Sequence, residues 1–230
     1  MPNTSNSQPK VPFDAIVFDC DGTLSAIEGI DELAEENHVG EPVKALTAQA
    51  MGVTGITPAI FQERMQLVKP TREQVDQLGE KYYAHREPGC EEVIALLQRL
   101  GKNVFIVSAG IKQAVRNFGE RLGIADSNIF AINLEFDAQG NYSGFDTISP
   151  FTRADGKRDV VVELKKRFNT IAFVGDGLND LAVKDLVDRF IGYGGTFYRP
   201  QIEKVCEYYV REKSFLALLP LLLTREEYES

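Results

Sequence analysis

Ala15-Ile16-Val17-Phe18-Asp19-Cys20-Asp21-Gly22-Thr23 passes directly from an unbroken apolar run to a turn that carries two carboxylates. An apolar run this short reads as a strand buried on both faces, as in the parallel sheets of α/β proteins. The same pattern recurs far downstream, where Ile171-Ala172-Phe173-Val174 leads into Gly175-Asp176-Gly177-Leu178-Asn179-Asp180. Both acidic turns therefore leave strand carboxyl ends, the edge at which open α/β sheets bind ligands. Neighbouring strands would bring Asp19, Asp21, Asp176 and Asp180 together. Such a cluster repels itself unless a cation sits among it, and hard oxygen donors without histidine or thiolate favour Mg²⁺ over zinc or iron. A single aspartate after a strand is as well explained by a turn or a helix cap; two turns of this composition are much harder to explain that way.

Outward from the first turn, Ser25 to about Arg86 has amphipathic helical periodicity and no strand pattern. One helix begins near Ser25 to Glu28 and runs through Ala34, and a second covers Val43 to Met51. A third follows Pro58 and contains Phe61, Met65 and Val68, and a fourth starts at the reciprocal cap pattern Thr71-Arg-Glu-Gln74. From Pro88-Gly89 onward helices and strands alternate. Val93, Leu96, Leu97 and Leu100 form a helix face stopped by Gly101, a strand follows over Asn103 to Ser108, and a helix from Ile111 to Leu122 is stopped by Gly123. A hairpin is expected from Ile132–Phe136 and Tyr142–Ile148 around Asp137-Ala-Gln-Gly-Asn141. Next come a helix from Arg158 to Phe168, the strand at Ile171, a helix from Asn179 to Val187, and short strands near Phe190 and Tyr208. The expected fold is α/β: a doubly wound, Rossmann-like parallel sheet with a helical cap inserted after the first strand. In residue terms, 11–24 and 87–230 form the catalytic core, 25–86 the cap and 1–10 a flexible tail.

The bulk properties limit the function. A net charge of −9 and a pI near 4.9 leave no basic stripe for nucleic acid or an anionic membrane, so an anionic substrate must find local cations. Met1 to Pro9 lacks the regions of a signal peptide, and Phe215 to Leu223 is too short to span a bilayer. Cys20, Cys90 and Cys206 are odd in number and widely spaced, as for thiols in a reducing compartment. A cytoplasmic monomer or homodimer is expected.

The pair Asp19-x-Asp21 suits phosphoryl transfer through a covalent intermediate. Side chains at i and i+2 share a face, so one carboxylate can attack phosphorus beside the other, while Cys20 points away into packing. Ser108, with the N–H groups of Ala109 and Gly110, forms a phosphate cradle if it ends a strand before a helix; an ordinary helix N-cap has the same sequence. Lys157, after Gly156, reads alone as a solvated lysine at a helix start.

Taken together, Asp19-Cys-Asp-Gly-Thr23, Ser108, Gly156-Lys157 and Gly175-Asp-Gly-Leu-Asn-Asp180, in that order, resemble the four motifs of the haloacid dehalogenase superfamily of aspartate-nucleophile phosphatases. Glu28-Gly-Ile-Asp-Glu-Leu-Ala34, Met51-Gly, Phe61-Gln-Glu-Arg64 and the tail segment Phe190-Ile-Gly-Tyr-Gly-Gly195 are further similar to phosphoserine phosphatases. Gly22 and Ser108-Ala-Gly stand where many of those enzymes have serine and Ser-Gly-Gly. The resemblance implies Asp19 as nucleophile and Asp21 as the acid that protonates the leaving serine oxygen and then the base for water. It implies Mg²⁺ on the Asp19 carboxylate, the Asp21 backbone carbonyl and Asp176. Asp180 would ligate through water or orient Lys157, and Lys157 would steady phosphate and nucleophile. Free serine carries an ammonium and a carboxylate, for which Glu28 and Arg64 are the candidates, with Met51 and Phe61 as pocket walls. Taken alone, Ser25-x-x-Glu28 also fits a helix capping box, and Arg64 also suits pairing with Glu63. The implied reaction is hydrolysis of O-phospho-L-serine, the last step of phosphorylated serine biosynthesis. The alternatives are another small phosphomonoester, phosphoryl transfer to an alcohol such as homoserine, or a non-catalytic phospholigand sensor.

Overall fold

The computed structural model describes residues 7–49 and 56–229. Six strands form one parallel sheet: β1 (Ala15–Phe18), β2 (Asn103–Ile111), β3 (Ile129–Ile132), β6 (Ile171–Gly175), β7 (Arg189–Tyr193) and β8 (Tyr208–Val210), in the spatial order β3-β2-β1-β6-β7-β8. A separate antiparallel hairpin pairs β4 (Leu134–Phe136) with β5 (Tyr142–Phe145). Every residue of β1 and β6 is buried, which is why both read as continuous apolar runs rather than as alternating ones. Phe18 is in register with Ile106 on one side and Val174 on the other. The chain builds the sheet outward from β1 to β3, then crosses back to lay β6, β7 and β8 on the other side. The strand order therefore reverses between β1 and β6, and the crevice at that reversal opens at their carboxyl ends.

Four helices stand between β1 and the rest of the sheet: α1 (Gly29–Glu36), α2 (Gly40–Gln49), α3 (Pro58–Val68) and α4 (Arg72–Ala84). Thr57 caps α3, its hydroxyl oxygen accepting the Ile60 N–H. Thr71 and Gln74 close the expected reciprocal box on α4. α1 to α3 pack on one another, whereas α4 lies mainly along α6 (Lys112–Arg121), with Tyr82 stacked on Phe118 at 5.9 Å between centroids. The hairpin reaches the insertion as well: Phe145 meets Phe61 edge to face at 4.9 Å, and Arg72 lies over the Phe136 ring. The remaining helices are α5 (Cys90–Arg99), α7 (Lys157–Lys165), α8 (Leu178–Leu181), α9 (Pro200–Glu203), α10 (Leu219–Leu222) and α11 (Arg225–Glu229). Apolar residues of sheet and insertion, among them Leu33, Met65, Val75 and Leu78, form one continuous core.

Several boundaries differ from the sequence reading. β2 continues past Ser108 to Ile111, with a register shift against β3 between Val107 and Ile111. β3 is a strand the pattern did not announce, because Asn133 alone separates it from the hairpin and the two read as one segment. They pair differently: β3 joins β2 in parallel, and β4 turns to β5. The hairpin arm expected to reach Ile148 ends at Phe145, and the helix expected from Asn179 to Val187 is the short α8 followed by turns. The αL stops hold, with φ of +74° at Gly101 and +76° at Gly123. All three cysteines are free thiols. Among the described residues no helix is long and apolar enough to cross a membrane.

Candidate active site

The turn after β1 and the turn after β6 meet at the crevice. Gly22, at φ +70°, sits so close to Asp176 that a Cβ there would lie 2.7 Å from Asp176 Oδ2. Oxygens of Asp19, Asp176 and Asp180 all lie within 4.8 Å of one another, and all three residues are buried. Lys157, at the first position of α7, bridges two of them, with Nζ 2.7 Å from Asp19 Oδ1 and 2.5 Å from Asp180 Oδ1. It is a buried ion-pair partner, not the solvated lysine its isolated position suggests. Asp180 Oδ2 accepts the Gly177 N–H at 2.8 Å and its Oδ1 accepts from Lys157, so both of its oxygens are engaged. Asp19 Oδ1 accepts from Lys157 and from the Cys20 N–H, and no hydrogen bond among the described residues falls on Oδ2.

Asp21 leaves the same turn toward the insertion. Its Oδ1 accepts the Gly29 N–H at 2.7 Å and the Tyr82 hydroxyl at 2.6 Å, and its Oδ2 accepts the Ser108 hydroxyl at 3.2 Å. Ser108 in turn accepts the Gly110 N–H at 2.8 Å. Ser108 is thus not the cap of α6, whose N-cap residue is Ile111 without a side-chain bond; the hydroxyl is turned to Asp21 instead.

A cavity of about 170 Å³ lies over this edge, with Asp19, Asp21 and Asp176 in its floor and Glu28, Phe61 and Arg64 in its walls. Ala109 and Gly110 also line it, whereas Ser108, Lys157 and Asp180 do not reach its surface. Met51 lies outside the described residues. Neither local alternative for the wall charges is realised. The Ser25 hydroxyl donates to the carbonyls of Tyr82 and His85 rather than capping α1, which leaves the Glu28 carboxylate toward the cavity. Glu63 is exposed while Arg64 is buried, and Arg64 Nε has no hydrogen-bond partner among the described residues. An unpaired, buried guanidinium edge in a cavity wall is suited to a carboxylate from outside the chain.

Arg199 is the cation that sequence reasoning missed. It stands just before α9, with Nη2 3.0 Å from Asp176 Oδ2 and 3.7 Å from Glu28 Oε1. Its loop leaves the carboxyl end of β7, the same edge as the acidic turns, and that was the signal available. Tyr82 was read as part of a helix and nothing more.

The charges do not balance. Burial, then Asp180, raises the Asp19 carboxyl well above its ordinary range, with Lys157 opposing. Burial and Asp180 push Asp176 up to about 6 against the pull of Arg199. Burial, Asp21 and Asp176 push Glu28 up to about 8. Burial pulls on the Lys157 ammonium, but Asp180 and Asp19 outweigh it and raise its pKa. Arg64 is lowered by burial, with Asp31 and Glu28 opposing. Too many carboxylates for the cations present is the condition under which a site takes up positive charge, and an all-oxygen donor set fits a hard divalent ion.

The family model for haloacid dehalogenase-like hydrolases matches residues 13–183, a span that includes both acidic turns and Lys157. The chain is 37% identical to the phosphoserine phosphatase of Bos taurus over 91% of its own length and 93% of the relative's. It is 36% identical to that of Homo sapiens over 90% and 92%. A solved phospho-aspartyl intermediate analogue of phosphoserine phosphatase superposes with a TM-score of 0.74 at 26% identity, covering 90% of this chain and 98% of the other. With the motifs inside the matched span and nearly the whole length shared with these relatives, the chain belongs to the haloacid dehalogenase-like hydrolase family.

Proposed function

We propose that this chain is a Mg²⁺-dependent phosphoserine phosphatase, which hydrolyses O-phospho-L-serine to L-serine and phosphate. The observation that supports it most is the meeting, in one cavity, of a nucleophile-type aspartate pair with Glu28 and a buried arginine, Arg64, whose Nε has no hydrogen-bond partner among the described residues. Asp19 Oδ2 attacks phosphorus while Lys157 holds Oδ1. As the new bond forms, the P–O bond to serine breaks, its electron pair stays on the serine oxygen, and that oxygen takes a proton from Asp21 Oδ2. Water then attacks the phosphorus of the aspartyl phosphate, gives its proton to Asp21 and releases the Asp19 carboxylate. Asp19, Asp176 and the Asp21 backbone carbonyl would hold Mg²⁺, which when bound would supply positive charge to offset the repulsion between phosphate and attacking carboxylate. Ala109 and Gly110, which line the cavity, receive the phosphoryl oxygens. Arg64 takes the substrate carboxylate, Glu28 its ammonium, and Phe61 and Met51 enclose the carbon skeleton.

Residues 25–86 serve as the cap over this chemistry, with 11–24 and 87–230 as the core. The free thiols are consistent with a reducing, cytoplasmic setting. Phosphate release across phosphoserine, phosphothreonine, phosphoethanolamine and sugar phosphates, with and without Mg²⁺, tests the assignment. Phosphoserine should be preferred. Phosphoethanolamine has no carboxylate, so equal turnover of the two would remove Arg64 from recognition and overturn the substrate.

A further inference from the structure

The Tyr82 hydroxyl meets the proposed acid-base carboxylate from outside the cavity. Tyr82 is fully buried, its ring is stacked on Phe118, and its O–H donates to Asp21 Oδ1 at 2.6 Å. The Gly29 N–H donates to the same oxygen at 2.7 Å. The space for the phenol exists because Gly29 has no side chain: a Cβ there would stand 2.0 Å from the Tyr82 oxygen. The two oxygens of Asp21 therefore differ. Oδ1 is fixed by two donors at 2.6 and 2.7 Å, whereas among the described residues Oδ2 accepts only the longer 3.2 Å bond from the Ser108 hydroxyl and lies beside Gly110, where a Cβ would fall 2.7 Å from it. Asp21 itself lines the cavity and Tyr82 does not.

We propose that Tyr82 is a positioning residue for the acid-base step, fixing Asp21 Oδ1 as a permanent acceptor so that Oδ2 alone handles the proton passed to the leaving oxygen. Two donors on one oxygen leave it no place for a proton, and they also lock the carboxyl rotamer. The proton can then leave Oδ2 and return to it without any change in the bonds at Oδ1. Burial holds the Tyr82 phenol in its protonated, donating form. The ring stack on Phe118 anchors the donor against α6.

This inference rests on the phosphatase reading, and it is tested by dependence on the leaving group. An alkoxide needs the proton from Asp21 to depart, whereas p-nitrophenolate does not. Because kcat/KM reports the steps up to departure of the leaving group, Tyr82→Phe should lower it about tenfold for an alkyl phosphate such as phosphoserine. For p-nitrophenyl phosphate it should change less than about twofold. Equal losses on both substrates would make Tyr82 merely structural, and no loss on either would overturn the proposal. Serine release in a single turnover gives a second measurement. In an Asp21→Asn background Tyr82→Phe should add no further loss, and a fully additive loss would contradict action through Asp21. Failure of the wild-type chain to release phosphate from phosphoserine would sink the functional reading instead. The alkyl-versus-aryl contrast could still be read on any alkyl phosphate the chain hydrolyses.

Discussion

Asp19 has one oxygen tied to Lys157 and Cys20 and, among the described residues, no hydrogen bond on the other, an asymmetry suited to the nucleophile proposed for it. Asp19→Asn keeps the shape and the Cys20 contact but removes the attacking anion. Turnover should fall by roughly three orders of magnitude or more, with the thermal midpoint nearly unchanged. A variant that kept a tenth of the activity would argue against covalent catalysis. Arg64→Ala separates recognition from chemistry. It should cost phosphoserine turnover about a hundredfold, as expected for loss of a bidentate carboxylate contact, and leave an aryl phosphate without an amino-acid group little affected. Steady-state kinetics on the two substrates decide it. At this scale the sequence was informative where the residue pattern was itself unusual, as for carboxylates leaving apolar strands; Lys157, which alone reads as solvated, is buried between Asp19 and Asp180, and only the resemblance had pointed to it. The sequence was silent on Arg199 and Tyr82. Arginine before proline and tyrosine on a helix are common in any fold, and only tertiary placement brings one to Asp176 and the other to Asp21.

The elements follow from strong local signals and fail where signals run together. The buried runs of β1 and β6, the glycine stops at Gly101 and Gly123 and the Thr71–Gln74 box were all legible because each rests on local backbone physics. β3 was not, since its partner β2 is chosen by the sheet and not by its own four residues. The extension of β2 past Ser108 has the same origin, and it turns the Ser108 hydroxyl from a helix cap to a contact on Asp21. The box on α4 allows a test of structure without chemistry. Thr71→Ala should destabilise the fold by about 1 kcal/mol, read by chemical denaturation, with kcat unchanged. A loss of activity without loss of stability would mean that α4 is coupled to the site through its start rather than through Tyr82.

The whole molecule is acidic, and its most concentrated acid is at the crevice, where burial raises Asp19, Asp176 and Glu28 together. In the metal-stripped protein this reverses the usual pH trend of carboxylates. Glu28 holds its proton more tightly in the folded protein, where burial and the neighbouring Asp21 and Asp176 push its pKa from the ordinary 4.5 up to about 8. Its contribution to stability is therefore fully present below about pH 4.5 and is lost as the pH rises through about 8. Glu28→Gln should flatten the decline of the thermal midpoint across that window, and parallel curves for variant and wild type would contradict the assignment. Removing divalent cations with EDTA should abolish phosphate release, and Mg²⁺ should restore it while raising the thermal midpoint. All of this depends on two acidic turns closing on one phosphorus atom with Asp19 as the group that takes it. Rapid acid quenching during turnover of phosphoserine labelled on phosphorus, followed by peptide mapping, tests that most directly. The account predicts an acyl phosphate, sensitive to hydroxylamine, on Asp19. Label on another residue, or steady turnover with no labelled protein at any quench time, would contradict it.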